Sequence, residues 1–261
     1  MVKTVRLFGA LFSMSVRRSV TFRTDLFFEF VVAVVAGAAS LAALGVVYTR
    51  TDNLGGWSAG EAIALLGTFQ IVSGLRAAFV EPNLQWFGEQ VKSGEFDALL
   101  IQPAPAILLA SLGTLAPLAL IQVALGFGVV GYGLAHAAIG ITVVGVLAWL
   151  VLVLTATVIT WATRVLFSSV VFWALGLSLD VVYEAVWQFG RYPVQLYATP
   201  LRLLLSYGFP VALVATVPAD VLARGGGLVA VPVAVGIAGA ACAVSGLAWR
   251  AGLRRYTSAT S

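Results

Sequence analysis

The sequence predicts an all-α membrane protein with six transmembrane helices, organised as a single domain over residues 1–261. Composition is the first observation: 61% of the residues are hydrophobic, 10% are charged, and the mean hydropathy is +1.01. Apolar runs are the second, because several reach the roughly 20 residues that a helix needs to cross a bilayer. The third is charge: once these runs are taken as spans, most basic residues fall on one side of the membrane.

A basic, weakly amphipathic stretch opens the chain and is predicted to form an interfacial helix over residues 1–24. Val5, Phe8, Phe12 and Val16 share one face at helical spacing, and nearby arginines are placed to meet lipid headgroups. A signal peptide would need a longer apolar core and a small-residue cleavage site before the basic cluster. The expected location of this helix is therefore the cytoplasmic surface of the membrane.

Six apolar segments are long enough to serve as spans and set the expected order of the bundle. Pro117 lies inside the third segment, where the loss of one backbone donor should kink the helix. Arg164 separates the fourth segment from the fifth. The predicted spans are about Leu26–Tyr48, Ala59–Val80, Pro105–Gly133, Ile139–Ala162, Leu166–Gln188 and Gly227–Trp249.

A seventh apolar stretch, residues 199–221, is interrupted by Pro200, Pro210 and Pro218 and contains Arg202. It could be a further span or a re-entrant hairpin. Three prolines in one stretch argue against an isolated helix that faces lipid. We therefore predict an extracytoplasmic re-entrant hairpin before the last span, with its tip near Pro210.

The distribution of basic residues also favours the hairpin. With six spans, both termini and residues 81–104 share one side of the membrane with 11 of the 15 basic residues. A seventh span would place the C-terminal arginines opposite the N-terminal ones, against the positive-inside bias. The predicted cytoplasmic set is Lys3, Arg6, Arg17, Arg18, Arg23, Arg76, Lys92, Arg164, Arg250, Arg254 and Arg255.

The longest polar interruption lies at residues 81–104, between the second and third spans. Pro82 suits the first turn of a helix, and Gly94 suits a left-handed helix stop. Leu84, Phe87 and Val91 recur at helical spacing between them. The pattern predicts a short amphipathic helix, a tight turn and an acidic segment. On composition alone, a solvated connector between two spans fits equally well.

Two motifs resemble those of a family of bacterial type-2 ABC exporter permeases. The first is Gly94-Glu95-Phe96-Asp97 followed by Leu99-Leu100 and Pro103. The second comprises Arg191-Tyr192-Pro193, Leu201-Arg202, Pro210-Val211-Ala212 and Val217-Pro218-Ala219. One departure is Gln102, where the family usually carries arginine. Together the motifs cover most of residues 80–222.

The resemblance implies a function as well as a fold. In that family the polar loop contains the coupling helix, which sits on a separate ATPase subunit that binds ATP and Mg. The expected assembly has two ATPase subunits and a second permease, identical or related, in the bacterial cytoplasmic membrane. The expected substrate is amphipathic, lipid-like or drug-like, and is moved outward. The expected ATPase-coupling residues are Trp86, Phe87, Lys92, Gly94, Glu95, Phe96 and Asp97.

Particular expectations attach to several of these coupling residues. We expect Trp86, Phe87 and Phe96 to be exposed on the loop, since protein interfaces are enriched in such aromatic side chains. Glu95 and Asp97 are expected to meet basic groups of the ATPase, or to fix the loop by accepting backbone N–H bonds.

The chain itself carries no motif for nucleotide or metal chemistry. A phosphate-binding P-loop needs Gly-Lys-Ser/Thr with a second glycine upstream, and Lys92-Ser93 lacks that context. His136 is the only histidine and Cys242 the only cysteine, so a catalytic set or a metal site has little support. We expect no catalytic residue, no metal and no cofactor bound by this chain.

Three charges are predicted to lie at membrane depth, where each is costly. Arg76 is near the cytoplasmic end of the second span and could snorkel to the surface. Asp180 and Glu184 are one turn apart on the fifth span and either face water at the outer boundary or line a translocation path. These two acids also support the main alternative, a stand-alone secondary transporter or channel.

Overall fold

The computed structural model describes residues 23–137, 140–175, 177 and 179–256, which form a bundle of helices with no strand in those ranges. The predicted interfacial helix lies outside this part of the chain, except for its last two residues, which begin α1. The α-helices are α1 (Arg23–Tyr48), α2 (Ala59–Phe79), α3 (Glu81–Leu84), α4 (Phe87–Ser93), α5 (Glu95–Leu100), α6 (Ala106–Leu112), α7 (Leu120–Ala135), α8 (Val143–Ser168), α9 (Asp180–Gln188), α10 (Thr199–Leu203), α11 (Thr216–Ala223) and α12 (Ala230–Leu253).

The long helices confirm the predicted fold class. Five helical stretches of the described chain are long and apolar enough to cross a membrane. A sixth is added if the bent pair Thr199–Gly208 and Val211–Ala223 counts as one crossing. The five are Phe30–Tyr48, Ala59–Phe79, Pro117–Ala135, Val143–Phe172 and Ala230–Leu253.

The boundary predicted between the fourth and fifth spans is wrong. Helix α8 continues through Arg164 to Ser168, and a 3₁₀ turn extends it to Phe172. The charge does not end the helix because the Arg164 side chain is only 2% exposed and forms ion pairs with acidic groups. Among the described residues of Leu166–Gln188, no second long helix follows α8, and α9 supplies only the last nine residues of that range.

Residues 180–195 instead run along the length of α2. Glu184 bonds to Arg76, near the C-terminal end of α2, at 2.5 Å. At the opposite end, just before α2 begins, the Nε1 of Trp57 donates to Oε1 of Gln195 at 3.3 Å. We call the end of the bundle near Arg76 the loop end and the other the Trp57 end. The chain therefore passes from the loop end to the Trp57 end here, in a short helix and 3₁₀ turns.

A seam of glycines brings α2 and α7 into close contact. Gly60, Gly67 and Gly74 recur every seven residues on α2; Gly60 faces Gly133 and Gly67 faces Gly126 on α7, and Gly74 lies against Val123. A Cβ built on Gly67 would lie 2.6 Å from a backbone nitrogen of α7, so no side chain fits there. Small residues at such a seam allow two membrane helices to approach through their backbones.

The third predicted span is interrupted rather than kinked. Helix α6 ends at Leu112, five residues before Pro117, and the irregular backbone between them is held by the polar loop. The Asn83 side chain donates to the carbonyl of Thr114 at 2.8 Å and accepts from its N–H at 2.6 Å. The N–H of Ala116 also donates to the carbonyl of Ala78 at 2.9 Å. These bonds satisfy backbone groups that the break would otherwise leave unpaired.

Residues 199–221 are broken into short helices. Pro200 lies in the first turn of α10, a π-helix follows at Leu204–Gly208, and Pro210 stands at the break before α11, which contains Pro218. The axes on the two sides of the break meet at 72°. Arg202 is exposed on α10.

This segment and the residues just after it have contacts at both ends of the bundle, the loop end and the Trp57 end. The Phe209 ring packs on Phe167, near the loop end of α8, with 5.3 Å between ring centroids. At the C-terminal side the Arg224 guanidinium lies 4.7 Å from the ring centre of Trp57. The re-entrant hairpin remains a prediction.

Candidate functional site

Five charged residues meet at the loop end of the bundle, and we call them the charge cluster. Glu81 is at its centre: Oε1 lies 3.4 Å from Nε of Arg76 and 3.3 Å from Nε of Arg164. Arg164 also bonds to Asp180, and Arg76 to Glu184, each at 2.5 Å. The loop and α9 are thus attached to the same two arginines.

Because the two arginines are buried, their ion pairs constrain the positions of the loop and α9. The side chains of Arg76 and Arg164 are 10% and 2% exposed, whereas Asp180 and Glu184 are about 40% exposed. The expectation that Arg76 snorkels is wrong, since acids neutralise it inside the protein. Asp180 and Glu184, whose predicted alternatives were an outer-boundary position and a translocation path, both lie at the loop end. Removing one member of a buried pair leaves an uncompensated charge.

Aromatic rings surround the two arginines of the charge cluster. Arg76 lies 4.5 Å from the ring centre of Trp187, and Arg164 lies 5.2 Å from that of Tyr183. A guanidinium over a ring face gains electrostatic attraction that grows when water is excluded. This contact fixes α9 against α2 and α8 in addition to the ion pairs.

The loop is anchored by an aromatic cluster beneath it. Phe87 and Phe96 are fully buried, so the exposure expected for them is wrong. Phe87 lies 5.3 Å from Phe96, 5.7 Å from Phe172 and 5.2 Å from Trp249, between ring centroids. The rings of Phe172 and Trp249 come from the ends of α8 and α12, and they give the loop a rigid base.

Asp97 lies at the edge of this cluster. Its Oδ1 accepts a hydrogen bond from the Tyr256 hydroxyl at 2.9 Å. Burial raises the pKa of the Tyr256 hydroxyl, and the hydrogen bond and charge of Asp97 raise it further. The phenol therefore stays protonated and donates at neutral pH. Asp97 thus joins the loop to the C-terminal segment of its own chain.

Gly94 and Pro82 have the backbone roles that the sequence predicts. Gly94 has φ of 79°, a left-handed conformation that joins α4 to α5, and Pro82 lies in the first turn of α3. The turn lets α5 fold back so that Phe96 reaches the aromatic cluster.

The outer surface of the loop carries an open groove of about 600 Å³, which we call the loop groove. Trp86 is 60% exposed there, the largest aromatic surface on the loop. Lys92 pairs with Glu89 at 2.9 Å, and Glu95 is exposed nearby. The lining residues are Trp86, Glu89, Gln90, Lys92, Ser93 and Glu95. Among the predicted coupling residues, the structure brings Trp86, Lys92 and Glu95 to this surface and places Phe87 and Phe96 beneath it.

Sequence reasoning did not assign a role to Glu81, Asn83 or Arg164. In the sequence, Glu81 is one acid of the polar stretch, and Asn83 belongs to no motif. Arg164 did carry a signal, since an arginine inside a long apolar run needs a buried partner. Its partners are 16 and 83 residues away along the chain, beyond the reach of local patterns.

These features are those of a multi-pass membrane protein whose polar loop is anchored on the ends of its long helices. The chain belongs to a known family of this class: the family model described as ABC-2 family transporter protein matches residues 34–260. It is therefore an ABC transporter permease, as the two sequence motifs indicated. A search of curated proteins and a search of solved structures returned no significant match.

Proposed function

We propose that this chain is the membrane subunit of a type-2 ABC exporter and that a separate ATPase docks on the loop groove. The observation that carries the proposal is the contrast within the loop: an exposed Trp86 and acidic rim lie directly above fully buried Phe87 and Phe96. A rigid base under an exposed aromatic side chain is typical of a binding surface, because a preorganised surface loses little entropy on binding.

The connections of the loop support a mechanical role. Glu81 ties the start of the loop to α2 and α8, and Asn83 ties it to the break before α7. Phe87 ties its middle to the ends of α8 and α12. A movement of the loop groove is therefore passed to four long helices. In the proposed cycle, two ATPase subunits bind ATP and Mg, close, and push on the loop, and the spans tilt to open the path outward.

The ends of the bundle support a proposed orientation in the membrane. The C-terminal end of α12 lies at the loop end, since Trp249 belongs to the aromatic cluster, and α1 begins on the same side because its other end reaches Trp57. We propose that the loop end is cytoplasmic and that the chain lies in the bacterial cytoplasmic membrane. A second permease, identical or related, would complete the path.

The proposed substrate is an amphipathic, lipid-like or drug-like molecule. The side chains that the described chain leaves exposed on its long helices are mainly large and apolar, as in Phe28, Val144 and Leu247. Such surfaces suit a molecule with a hydrophobic part better than a sugar or an ion. The acids that an ion-coupled transporter would need, Asp180 and Glu184, are instead engaged by arginines.

Co-purification tests the proposal. The chain is purified in mild detergent from its own host, and bound proteins are identified by mass spectrometry and assayed for ATP hydrolysis. We expect a chain with Walker motifs and ATPase activity to accompany the wild type. Trp86→Ala should lower the amount of ATPase that co-purifies at least about tenfold, which is the effect of truncating an aromatic anchor at an interface. Tyr132→Ala is the matched control, because Tyr132 is 57% exposed on α7, far from the loop. Equal ATPase recovery with both variants would contradict the proposal.

A further inference from the structure

The C-terminal end of α12 carries three exposed arginines, Arg250, Arg254 and Arg255. Within the described part of the chain, no ion pair engages any of them, whereas the arginines inside the bundle are paired with acids. This end of the helix is therefore a basic surface that the described residues leave without a counter-charge.

Two of these arginines continue the exposed apolar strip of α12. Val244 and Leu247 are 51% and 64% exposed on the candidate span Ala230–Leu253. Arg250 and Arg254 follow Leu247 at spacings of three and four residues, so the three side chains share one helix face. Arg254 still has helical backbone angles, with φ of −67° and ψ of −22°. Because the strip is apolar up to Leu247 and basic beyond it, both guanidiniums lie where hydrocarbon gives way to lipid headgroups.

An exposed tryptophan lies at the same level of the bundle. Trp173 is 44% exposed and directly follows Phe172. The ring centroid of Phe172 is 5.3 Å from that of Trp249, the residue before Arg250. Tryptophan is enriched where a membrane meets water, because its ring is apolar and its N–H is polar. Trp173 therefore marks the membrane boundary here independently of the strip on α12.

The chain just beyond the arginines is attached to the loop. Tyr256 follows Arg255, and its ring centroid lies 5.4 Å from that of Phe96. Its hydroxyl donates to Asp97 at 2.9 Å. Helix α12 ends just before this contact, and helix ends fray. A ligand that holds the arginines would therefore also hold Tyr256 against the loop.

We propose that an anionic phospholipid of the leaflet at the loop end binds Arg250 and Arg254 and steadies the loop through Tyr256. The guanidiniums donate to the phosphate oxygens of the headgroup, and the acyl chains lie along Leu247 and the strip before it. A net negative headgroup is favoured, because a zwitterionic one brings its own cation to an already basic surface.

The lipid acts here as a regulatory ligand, distinct from any transported substrate. Its site needs neither the ATPase nor a particular orientation of the chain in the membrane. The lipid site can therefore fail while the proposed function stands, and a missing ATPase would leave the lipid site intact.

Hydrogen exchange of backbone amides tests the site. The full chain is placed in nanodiscs of phosphatidylcholine alone, or of equal parts phosphatidylcholine and phosphatidylglycerol, and exchange is followed by mass spectrometry. We expect phosphatidylglycerol to slow exchange at least about fivefold at residues 250–256 and 94–100, because a single arginine near an anionic surface strengthens binding by about that factor. Phosphatidylethanolamine in its place should have no such effect.

Variants identify the residues that bind the lipid. Arg250→Gln combined with Arg254→Gln should give equal exchange in the two bilayers. Arg50→Gln is the control and should keep the wild-type difference, because Arg50 is an exposed arginine just after Tyr48, which bonds to Trp57 at the other end of the bundle. Elution at the wild-type position on size exclusion shows that each variant is folded.

Tyr256→Phe tests the connection to the loop. The variant keeps the ring and loses the hydroxyl that bonds to Asp97. Phosphatidylglycerol should still slow exchange at residues 250–256 but lose most of its effect at residues 94–100. Undiminished slowing at residues 94–100 would overturn the route through Tyr256. Equal exchange of the wild type in both bilayers, an effect that survives loss of both arginines, or equal slowing by phosphatidylethanolamine would overturn the lipid site.

Discussion

Truncation of Phe87 separates the anchoring role of the loop from its docking role. Its side chain is fully buried, and three ring centroids lie within 5.7 Å of its own. A buried Phe→Ala change typically lowers the free energy of unfolding by about 3–5 kcal/mol, because it removes apolar contacts and leaves a cavity. Phe87→Ala should therefore destabilise the protein by an amount in this range, whether or not an ATPase is present.

The assay is a titration of SDS into mild-detergent micelles, with tryptophan fluorescence reporting the folded fraction. Trp86→Ala is the matched comparison, since Trp86 is the adjacent residue and 60% exposed. An exposed substitution of this kind changes the free energy of unfolding by no more than about 0.5 kcal/mol. A Phe87→Ala variant as stable as wild type, or a larger loss in Trp86→Ala, would refute the anchoring of the loop by the aromatic cluster.

Further predictions concern the contacts that hold the bundle. Gly67→Val should reduce the yield of folded protein, because its Cβ would lie 2.6 Å from a backbone atom. Gly236→Val is the control and should not reduce the yield, because the space around Gly236 is open. Equal yields of the two variants would contradict the glycine seam. Arg164→Met should lower the free energy of unfolding by about 3–5 kcal/mol, and adding Asp180→Asn should restore part of that loss. Purely additive effects in this double-mutant cycle would argue against the Arg164–Asp180 ion pair. Asn83→Leu should cost about 1–3 kcal/mol in the same titration, by unpairing the backbone that Asn83 bonds, and no loss would disprove that role.

The sequence predicts the local features of the loop well. The proline and glycine positions fix backbone angles on their own, which is why Pro82 and Gly94 have their predicted roles. The helical spacing of Leu84, Phe87 and Val91 correctly indicates a helix with one apolar face. The spacing does not show what covers that face, and the exposure expected for Phe87 was wrong for this reason.

Contacts between distant residues explain what the sequence could not predict. Two of the three rings that pack on Phe87 belong to residues 85 or more positions away, Phe172 and Trp249. Likewise, the sequence places Arg164 between two predicted spans, and only the folded chain brings Glu81 and Asp180 to it. Both of these errors concern a side chain whose partners come from another part of the fold.

Site-specific photo-crosslinking tests most directly whether the loop groove receives the ATPase. Trp86 is replaced by photoreactive benzoylphenylalanine, and the complex is irradiated in membranes that contain the host ATPases. The account predicts a cross-linked product whose partner carries Walker motifs, and no such product when the same group replaces Tyr132 on the exposed face of α7. Cross-linking of that ATPase from position 132 but not from position 86 would contradict the central claim.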